Sequence, residues 1–231
     1  MSKICILVPV YNEGKAFLEW LPGLMEVAGD LQALVIVVDD GSERVCLTNE
    51  QIQRDFPGVT LLRHGVNCGV GAAIGTGLAF ASRLQVEYVL TIDGDGQHDA
   101  EDLKLVLHEL KKSDGDIVNG SRFLKVQKIP LLRRWANGAA NFLTFVMSGM
   151  KVTDSQSGMK GFSRQVIEGL QLSNPGYEWC LDVFREASWK GWSVKEVPIS
   201  VSYSDYSTRK GQGIAVGLDM LTRLMVKALL K

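Results

Sequence analysis

The chain has 231 residues, of which 46% are hydrophobic and 22% charged, and this apolar content suits one large α/β domain. Its net charge of −1 argues against the basic groove of a nucleic-acid-binding protein. Four scattered cysteines form no Cys-x-x-Cys pair and have no histidine at zinc spacing, which predicts reduced thiols in a cytoplasmic protein.

The N-terminus leads directly into an apolar run without a basic lead or a cleavage site, so we expect no signal peptide. No apolar run reaches the roughly 20 residues that crossing a bilayer requires. A contact with a membrane surface stays open at this point, because later helices carry wide apolar faces.

Apolar, β-rich runs alternate with segments of helical apolar spacing through the first half of the chain. This alternation predicts an α/β fold with a mostly parallel, doubly wound sheet flanked by helices. The predicted strands are residues 4–10, 33–38, 59–62, 88–92 and 116–119, and the predicted helices are residues 17–28, 48–56, 70–84 and 100–111.

The second half has a different rhythm, beginning with a long predicted helix at 131–150. Five polar residues of this helix fall on one stripe, and most of its other residues are apolar: Arg134, Asn137, Asn141, Thr144 and Ser148. The pattern continues with strands at 159–162 and 194–202 and helices at 164–170, 178–190 and 214–231. We find no internal repeat or linker, so the sequence predicts a single domain.

Two carboxylates, Asp93 and Asp95, directly follow the strand at 88–92. Residues i and i+2 of an extended chain point to the same side, so both carboxylates would face one site. Together with the amide oxygen of Gln97 they form the hard oxygen set that Mg²⁺ and Mn²⁺ prefer. Asp-Gly-Asp-Gly is also turn chemistry, and His98 beside it fits either a metal or phosphate contact or a solvated loop.

Polar residues follow every strand of the first half, and parallel strands place such ends at one edge of the sheet. We therefore expect one crevice where acids bind a metal, base or ribose and where Arg122 pairs with a phosphate. The residues at these ends are Tyr11 to Glu13, Asp39, Asp40, Asn67, Asp93, Asp95, Ser121 and Arg122.

A glycine-rich loop offers a rival interpretation. Gly69, Gly71 and Gly75 lie between a strand and a helix, and Asp93 follows about 20 residues later, as in a dinucleotide-binding fingerprint. The spacing is GxGxxxG, however, and a dinucleotide site has no use for Asp95. The alternative is that these glycines allow a helix to pack closely on a strand.

Seven motifs occur in an order that resembles the inverting family 2 glycosyltransferases of the GT-A fold. The resemblance covers about residues 3–212 and is strongest to the dolichyl-phosphate mannosyltransferase and polyprenyl-phosphate glycosyltransferase group. The motifs are Val8-Pro-Val-Tyr-Asn-Glu13, Val37-Val-Asp-Asp-Gly-Ser42, Asn67-x-Gly-x-Gly-Ala72, Asp93-x-Asp-x-Gln97, Gly120-Ser-Arg-Phe123, Asp154-x-x-Ser-Gly-x-Lys-x-Phe162 and Glu196-Val-Pro-Ile199.

The resemblance implies a GT-A domain with residues 1–123 as the nucleotide-sugar half, 124–212 as the acceptor half and 213–231 as an amphipathic C-terminal helix. It implies that the donor's base and ribose contact Pro9, Tyr11, Glu13, Asp39 or Asp40. It further implies Mg²⁺ or Mn²⁺ on Asp93, Asp95 and Gln97, with Asp95 counted among the catalytic residues.

On the acceptor side, the resemblance implies a phosphate contact for Arg122 and a shaping role for Asp154 and Gln156. Arg209 and Lys210 would close over the diphosphate. A lipid-phosphate acceptor needs no general base, whereas a hydroxyl acceptor needs a carboxylate, for which Asp154 is the candidate. Asp154 is otherwise read as a cap or turn residue.

The sequence departs from the group in two respects. Gly213 stands where the group commonly has a serine after its loop arginine, which puts that acceptor contact in doubt. Only one helix follows the loop, so action on a lipid would require docking through surface helices or through a small membrane partner. Helices 131–150 and 214–231 are the candidates, and packing on the sheet or in a homo-oligomer is the alternative.

The sequence thus predicts a metal-dependent glycosyltransferase that takes a sugar from UDP or GDP to a polyprenyl or dolichyl phosphate, in the cytoplasm or at the cytoplasmic membrane face. A saccharide-hydroxyl acceptor is the first alternative, and an NAD(P)-binding oxidoreductase is the second. An inactive partner subunit is the third, although intact Asp93, Asp95, Gln97 and Arg122 argue against it.

Overall fold

The computed structural model describes residues 3–43, 48–113, 115–126, 129 and 131–202. The described strands are β1 (Ile4–Val10), β2 (Leu34–Asp39), β3 (Val59–Arg63), β4 (Tyr88–Thr91), β5 (Ile117–Ser121), β6 (Lys160–Ser163) and β7 (Val194–Pro198). The described helices are α1 (Gly14–Leu31), α2 (Asn49–Asp55), α3 (Val70–Arg83), α4 (Asp102–Lys112), α5 (Leu131–Ser148), α6 (Arg164–Gly169) and α7 (Trp179–Lys190).

The strands form one sheet in the order β3-β2-β1-β4-β6-β5-β7. The four neighbouring strands β3, β2, β1 and β4 run parallel to one another, and β5 runs parallel to β7. Among the strands that the structure describes, β6 alone runs antiparallel, between β4 and β5. The predicted mostly parallel, doubly wound α/β sheet is therefore confirmed, and the carboxyl ends of the parallel strands β1, β2 and β4 lie at one edge.

Alternate residues of the strands supply two apolar cores, one on each face of the sheet. In β1, Ile6 and Val8 pack in the core under α1 and α4, whereas Cys5 and Leu7 pack in the core under α3, α6 and α7. A strand buried on both faces must be apolar at every position, which explains the continuous apolar run of β1.

Pro9 lies inside β1, which ends one residue later at Val10. Leu7 accepts a hydrogen bond from the backbone of Ile92, so the alternation of the strand directs Pro9 to the same side. The ladder to β4 already ends at the Leu7–Thr91 pair. The missing N–H of Pro9 therefore leaves no ladder partner unsatisfied.

The predicted strand at 194–202 is too long, because β7 ends at Pro198. Its ladder partner β5 ends at Ser121, opposite Pro198, so no further pairing is available there. The chain turns instead toward the acidic loop after β4, where Val201 pairs with His98 and Ser202 donates to the carbonyl of Gln97. This crossing places residues 200–202 beside the predicted metal ligands.

Candidate active site

Asp93 and Asp95 occupy the loop that follows β4, as the sequence predicts. Gln97 donates its backbone N–H to Asp95 Oδ1 at 3.0 Å and its side-chain amide to Asp95 Oδ2 at 2.5 Å. Asp93 keeps 38% of its side-chain surface exposed toward the cleft. Its enclosure raises the pKa of Asp93 to about 7, and the nearby charges of Asp95 and then Glu13 act in the same direction.

The residues present fit a divalent cation. Two carboxylates that destabilise each other's charge are stabilised together by a cation between them, and carboxylate and amide oxygens are the ligands that Mg²⁺ and Mn²⁺ take. Gly158 leaves the room for this arrangement, because a Cβ at that position would lie 2.1 Å from Asp93 Oδ2. The backbone of Gly158 is fixed by the Thr91 hydroxyl at 2.7 Å.

His98 is buried beside these acids, with 5% of its surface exposed. Its Nε2 lies 3.9 Å from Asp93 Oδ2, and burial lowers the pKa of His98 to about 4. The alternative of a solvated loop histidine is therefore wrong: the ring is buried, and the backbone of His98 pairs with that of Val201. His98 lies against Asp93, although the Asp93-x-Asp-x-Gln97 motif does not include it.

Asp39 and Asp40 end β2 at the same edge, but both are buried and engaged within the protein. Asp39 accepts from Arg63 Nη2 at 2.6 Å and from the backbone of Ser42 at 3.0 Å. Asp40 accepts from the backbone of Cys68 at 2.9 Å and from the backbone of Gly69 at 2.7 Å. These contacts fix the loops that follow β2 and β3.

The loop after β1 is attached to the loop after β2. The backbone of Asn12 donates to Ser42 Oγ at 2.9 Å, and Asn12 Oδ1 accepts from the backbone of Glu43 at 3.1 Å. Asn12 has a φ of 54°, a left-handed conformation that asparagine tolerates. Tyr11 is 37% exposed at this edge.

The glycine-rich loop serves chain packing. Pro175 contributes its carbonyl oxygen to the backbone N–H groups of Gly71 and Ala72 at 2.6 and 3.2 Å, which are the groups that a dinucleotide phosphate would need. A Cβ on Gly69 would lie 2.3 Å from the same oxygen, and a Cβ on Gly77 would lie 2.1 Å from Leu7 Cδ1. The close-packing interpretation therefore accounts for this loop.

A second group of potential ligands lies near this loop. Single ligand atoms of Asp40, His64 and Cys68 lie within 4.8 Å of one another, although the sequence showed no histidine at zinc spacing. The Asp40 carboxylate accepts from His64 Nδ1 at 2.7 Å in addition to its two backbone donors, and His64 Nε2 lies 2.9 Å from Thr76 Oγ1. The described polar atoms of the Asp40–His64 pair thus already bond one another and the loop.

Arg122 and Asp154 form a two-pronged ion pair across 32 positions of sequence. Nε lies 2.6 Å from Oδ2, Nη2 lies 2.7 Å from Oδ1, and the backbone of Arg122 also donates to Oδ2 at 3.0 Å. Asp154 is fully buried, whereas the Arg122 side chain is 19% exposed. The Asp154 carboxylate therefore holds the Arg122 side chain in one orientation.

Two buried polar residues, Asn119 and Lys160, and the partly buried Glu196 hold the Asp154 segment, and sequence reasoning gave none of them a role. Asn119 donates to the Asp154 carbonyl at 2.9 Å and to Glu196 Oε1 at 3.0 Å, and Lys160 Nζ donates to Asn119 Oδ1 at 2.5 Å. Glu196 also accepts from the backbone of Thr153 at 2.8 Å. Burial lowers the pKa of Lys160, which is fully enclosed by protein. Lys160 and Glu196 lie in quoted motifs, so the signal was present.

Comparison with known proteins identifies the family. The model of glycosyl transferase family 2 matches residues 5–170, which include both aspartate pairs, Arg122 and Asp154. The chain belongs to glycosyl transferase family 2. It is therefore a family 2 glycosyltransferase, as the seven sequence motifs predict.

Curated relatives of this glycosyltransferase include two that are named for lipid-phosphate acceptors. A UDP-N-acetylglucosamine–dolichyl-phosphate N-acetylglucosaminyltransferase of Methanococcus voltae is 31% identical, over 96% of this chain and 95% of the relative. A polyprenol monophosphomannose synthase of Mycolicibacterium smegmatis is 28% identical, over 92% of this chain and 82% of the relative.

Solved structures agree on the fold, which is that of the GT-A glycosyltransferases. A glucosyl-3-phosphoglycerate synthase of Mycobacterium tuberculosis, crystallised with Mn²⁺ and UDP-glucose, aligns with a TM-score of 0.72 at 19% identity. The alignment covers 99% of this chain and 78% of that one.

Not every residue predicted for the site is among those that the structure describes. Arg209, Lys210, Gly213 and the helix at 214–231 lie outside the described residues. Gln156 lies beside Ser155, whose hydroxyl it contacts at 3.3 Å. Among the helices that the structure describes, none combines the length and apolar character needed to cross a bilayer.

Proposed function

We propose that this glycosyltransferase moves a sugar from a nucleotide-sugar to a polyprenyl or dolichyl phosphate, with Mg²⁺ or Mn²⁺ held by Asp93, Asp95 and Gln97. One observation carries the proposal: an acidic pair open to the cleft shares its site with an arginine held by a buried carboxylate. The charges of Asp95 and Arg122 both act on the pKa of Asp93, which supports a common site for the two groups.

The donor side rests on the β1, β2 and β4 loops. Tyr11 presents its ring at the edge, and Pro9 and Glu13 flank it. Asp39 and Asp40 would act on the base and ribose mainly by fixing these loops, since their carboxylates are already bonded. The mycobacterial neighbour that binds UDP-glucose with Mn²⁺ supports a nucleotide-sugar and a divalent cation here.

The departing nucleoside diphosphate gains negative charge as its bond to the sugar breaks. A cation held by Asp93, Asp95 and Gln97 would supply the positive charge that stabilises this leaving group. Arg122, and also Arg209 and Lys210 if they close over the site, would add cationic contacts to phosphate oxygens. Gly158 keeps the carboxylate of Asp93 free to face the donor.

A lipid phosphate suits the acceptor side. One of its oxygens forms the new bond to the anomeric carbon on the face opposite the leaving group, while the bond to the diphosphate breaks, so the configuration inverts. No proton has to be removed, because the attacking oxygen is already an anion. Asp154 is buried and paired with Arg122, a poor arrangement for the general base that a hydroxyl acceptor requires.

The names of the archaeal and mycobacterial relatives support the same acceptor class. A polyprenyl phosphate resides in a membrane, so we propose a peripheral location at the cytoplasmic membrane face. Contact with a small membrane partner and assembly into a homo-oligomer remain predictions of the sequence.

The test is transfer from UDP-N-acetylglucosamine, UDP-glucose or GDP-mannose to a short-chain polyprenyl phosphate, read by mass spectrometry with Mg²⁺, Mn²⁺ or EDTA. We expect a polyprenyl phosphate that carries the sugar. It should form only with a divalent cation and should be absent with Asp95→Asn. Transfer to a saccharide hydroxyl alone would overturn the acceptor class.

A thermal-shift panel names the nucleotide independently of the acceptor. A ligand at a hundred times its Kd stabilises a protein by about 2.7 kcal/mol. We expect UDP or GDP to raise the melting temperature only with Mn²⁺. A shift with NAD(H) that is indifferent to metal would restore the oxidoreductase alternative.

A further inference from the structure

Helix α5 turns its polar stripe toward the protein and its apolar stripe outward. The inward side includes three buried polar residues, Asn137, Thr144 and Ser148. Trp135 is 78% exposed and Phe142 is 68% exposed on the other side. The outer stripe, at helical steps of three, four and seven positions, consists of Leu131, Trp135, Phe142, Phe145 and Val146.

Hydrogen bonds made by polar residues on the inner side of α5 explain this orientation. Asn141 donates to the Thr153 carbonyl at 2.7 Å and accepts from the backbone of Ser155 at 2.8 Å. Asn137 reaches the same carbonyl at 3.4 Å. The helix is therefore held against the segment that carries Asp154, and this contact leaves the outer stripe without cover from the described residues.

The stretch of sequence that carries the outer stripe has charges of one sign only. Residues 121–153 contain no aspartate and no glutamate. Lys151 Nζ lies 5.6 Å from the centre of the Phe145 ring, and Arg134, the first residue of the polar stripe, is exposed. Leu124 and Val126, which precede α5 in the chain, are also exposed. The basic residues of this stretch are Arg122, Lys125, Lys128, Arg133, Arg134 and Lys151.

We propose that α5 docks the protein on an anionic bilayer, with the outer stripe in the boundary between head groups and acyl chains and the exposed cations Lys125, Arg134 and Lys151 at the head groups. Tryptophan, phenylalanine and leucine beside lysine and arginine are the composition of helices that lie in a membrane interface. Each basic residue near an anionic lipid surface strengthens the attachment.

Charge favours a bilayer over the other occupants of this surface. A second copy of the chain meeting its own α5 would bring two sets of cations together, because a two-fold interface pairs the same patch with itself. Residues 203–231 are also net basic, with five lysines or arginines and two aspartates, so they offer no complementary charge.

Docking through α5 would have a consequence for the reaction, which rests on the proposed function. The inner side of α5 binds residues 153 and 155, and Asp154 between them binds Arg122. A bilayer on the outer side would thus lie one helix away from the acceptor side of the site. A lipid phosphate at head-group depth would reach Arg122 without leaving its membrane.

The test is co-sedimentation of the full chain with vesicles of phosphatidylcholine, with and without phosphatidylglycerol. We expect binding to the anionic vesicles, weakened by salt, and at least about tenfold weaker binding for Trp135→Glu/Phe142→Glu, since both side chains would have to leave the acyl boundary. Trp189→Glu is the matched control, because Trp189 is a 64% exposed tryptophan of α7.

Three results would overturn the proposal. They are unchanged vesicle binding by the double variant, equal loss in the Trp189→Glu control, and a wild-type dimer in light scattering that the double variant abolishes without any vesicle binding. Circular dichroism confirms that each variant is folded.

A water-soluble short-chain acceptor separates this proposal from the proposed function. The double variant should transfer sugar to it at the wild-type rate, whereas Asp95→Asn should bind vesicles normally and transfer none. Vesicle binding by an otherwise inactive wild type would leave the docking surface standing and remove the proposed reaction.

Discussion

Two aspartate pairs follow parallel strands at the same edge of the sheet, and their surroundings differ. Asp39 and Asp40, after β2, are buried and accept from an arginine, a histidine and three backbone N–H groups. After β4, Asp95 binds only the Gln97 of its own loop among the described contacts, and Asp93 faces the cleft. Saturation by internal donors, rather than residue type or position, separates a structural carboxylate from a candidate metal ligand.

The largest expected effect comes from removing a charge of the open pair. Asp93→Asn should lower sugar transfer by about 10²–10³-fold, because the charge-stabilising cation loses a ligand. Stability without metal should not fall, since enclosure already disfavours the charged form of Asp93. Steady-state transfer and thermal melting measure the two effects. Near-normal transfer with Mn²⁺ would remove Asp93 from the metal site.

A substitution in Asp39 or Asp40, whose carboxylates are hydrogen-bonded within the protein, should lower the stability of the fold. Asp40→Asn places an amide N–H₂ among groups that already donate, so the free energy of unfolding should fall by about 3 kcal/mol. Urea denaturation of the metal-free protein measures it. Asp55→Asn is the control, because Asp55 is 47% exposed in a surface pair with Arg54 and should cause no measurable change. Equal stability of both variants would contradict the structural role.

A smaller effect should follow from adding a methyl group beside Asp93, one of the two acids after β4. Gly158→Ala directs a Cβ at the carboxylate of Asp93, so Mn²⁺ affinity should fall about tenfold, as for other changes around metal ligands. Isothermal titration calorimetry with Mn²⁺ and the nucleotide measures it. Gly75→Ala is the matched control, because no atom lies within 4 Å of its Cβ position. Unaltered affinity in Gly158→Ala would place the cation away from Asp93.

The smallest effect concerns Gly75, the third glycine of the glycine-rich motif, which lies in α3. Gly75→Ala should raise the free energy of unfolding by about 0.5–1 kcal/mol, because alanine favours a helix interior and has room there. Denaturant unfolding detects this gain. Nucleotide binding should not change, and a loss of it would revive the dinucleotide interpretation, in which the third glycine sets the packing of the phosphate-binding helix on its strand.

Much of the fold and part of the site were predictable from local patterns. The strand at Tyr88–Thr91 and the acids after it follow from a short apolar run that ends in carboxylates. The ends of α1 and β7 were placed less well, because the length of β7 depends on where β5 ends. The roles of Lys160 and Glu196 were missed, since their partners lie 41 and 77 residues away.

The sequence by itself determined the order of the elements, the family, and the acids that end β2 and β4, because strand periodicity and parallel pairing are local rules. The tertiary structure alone decided that β6 enters antiparallel between β4 and β5, that Arg122 meets Asp154, and that α5 presents its apolar stripe outward. These features depend on contacts between distant segments. Whether a carboxylate is saturated or an apolar stripe is covered is decided by the groups that the fold brings against it.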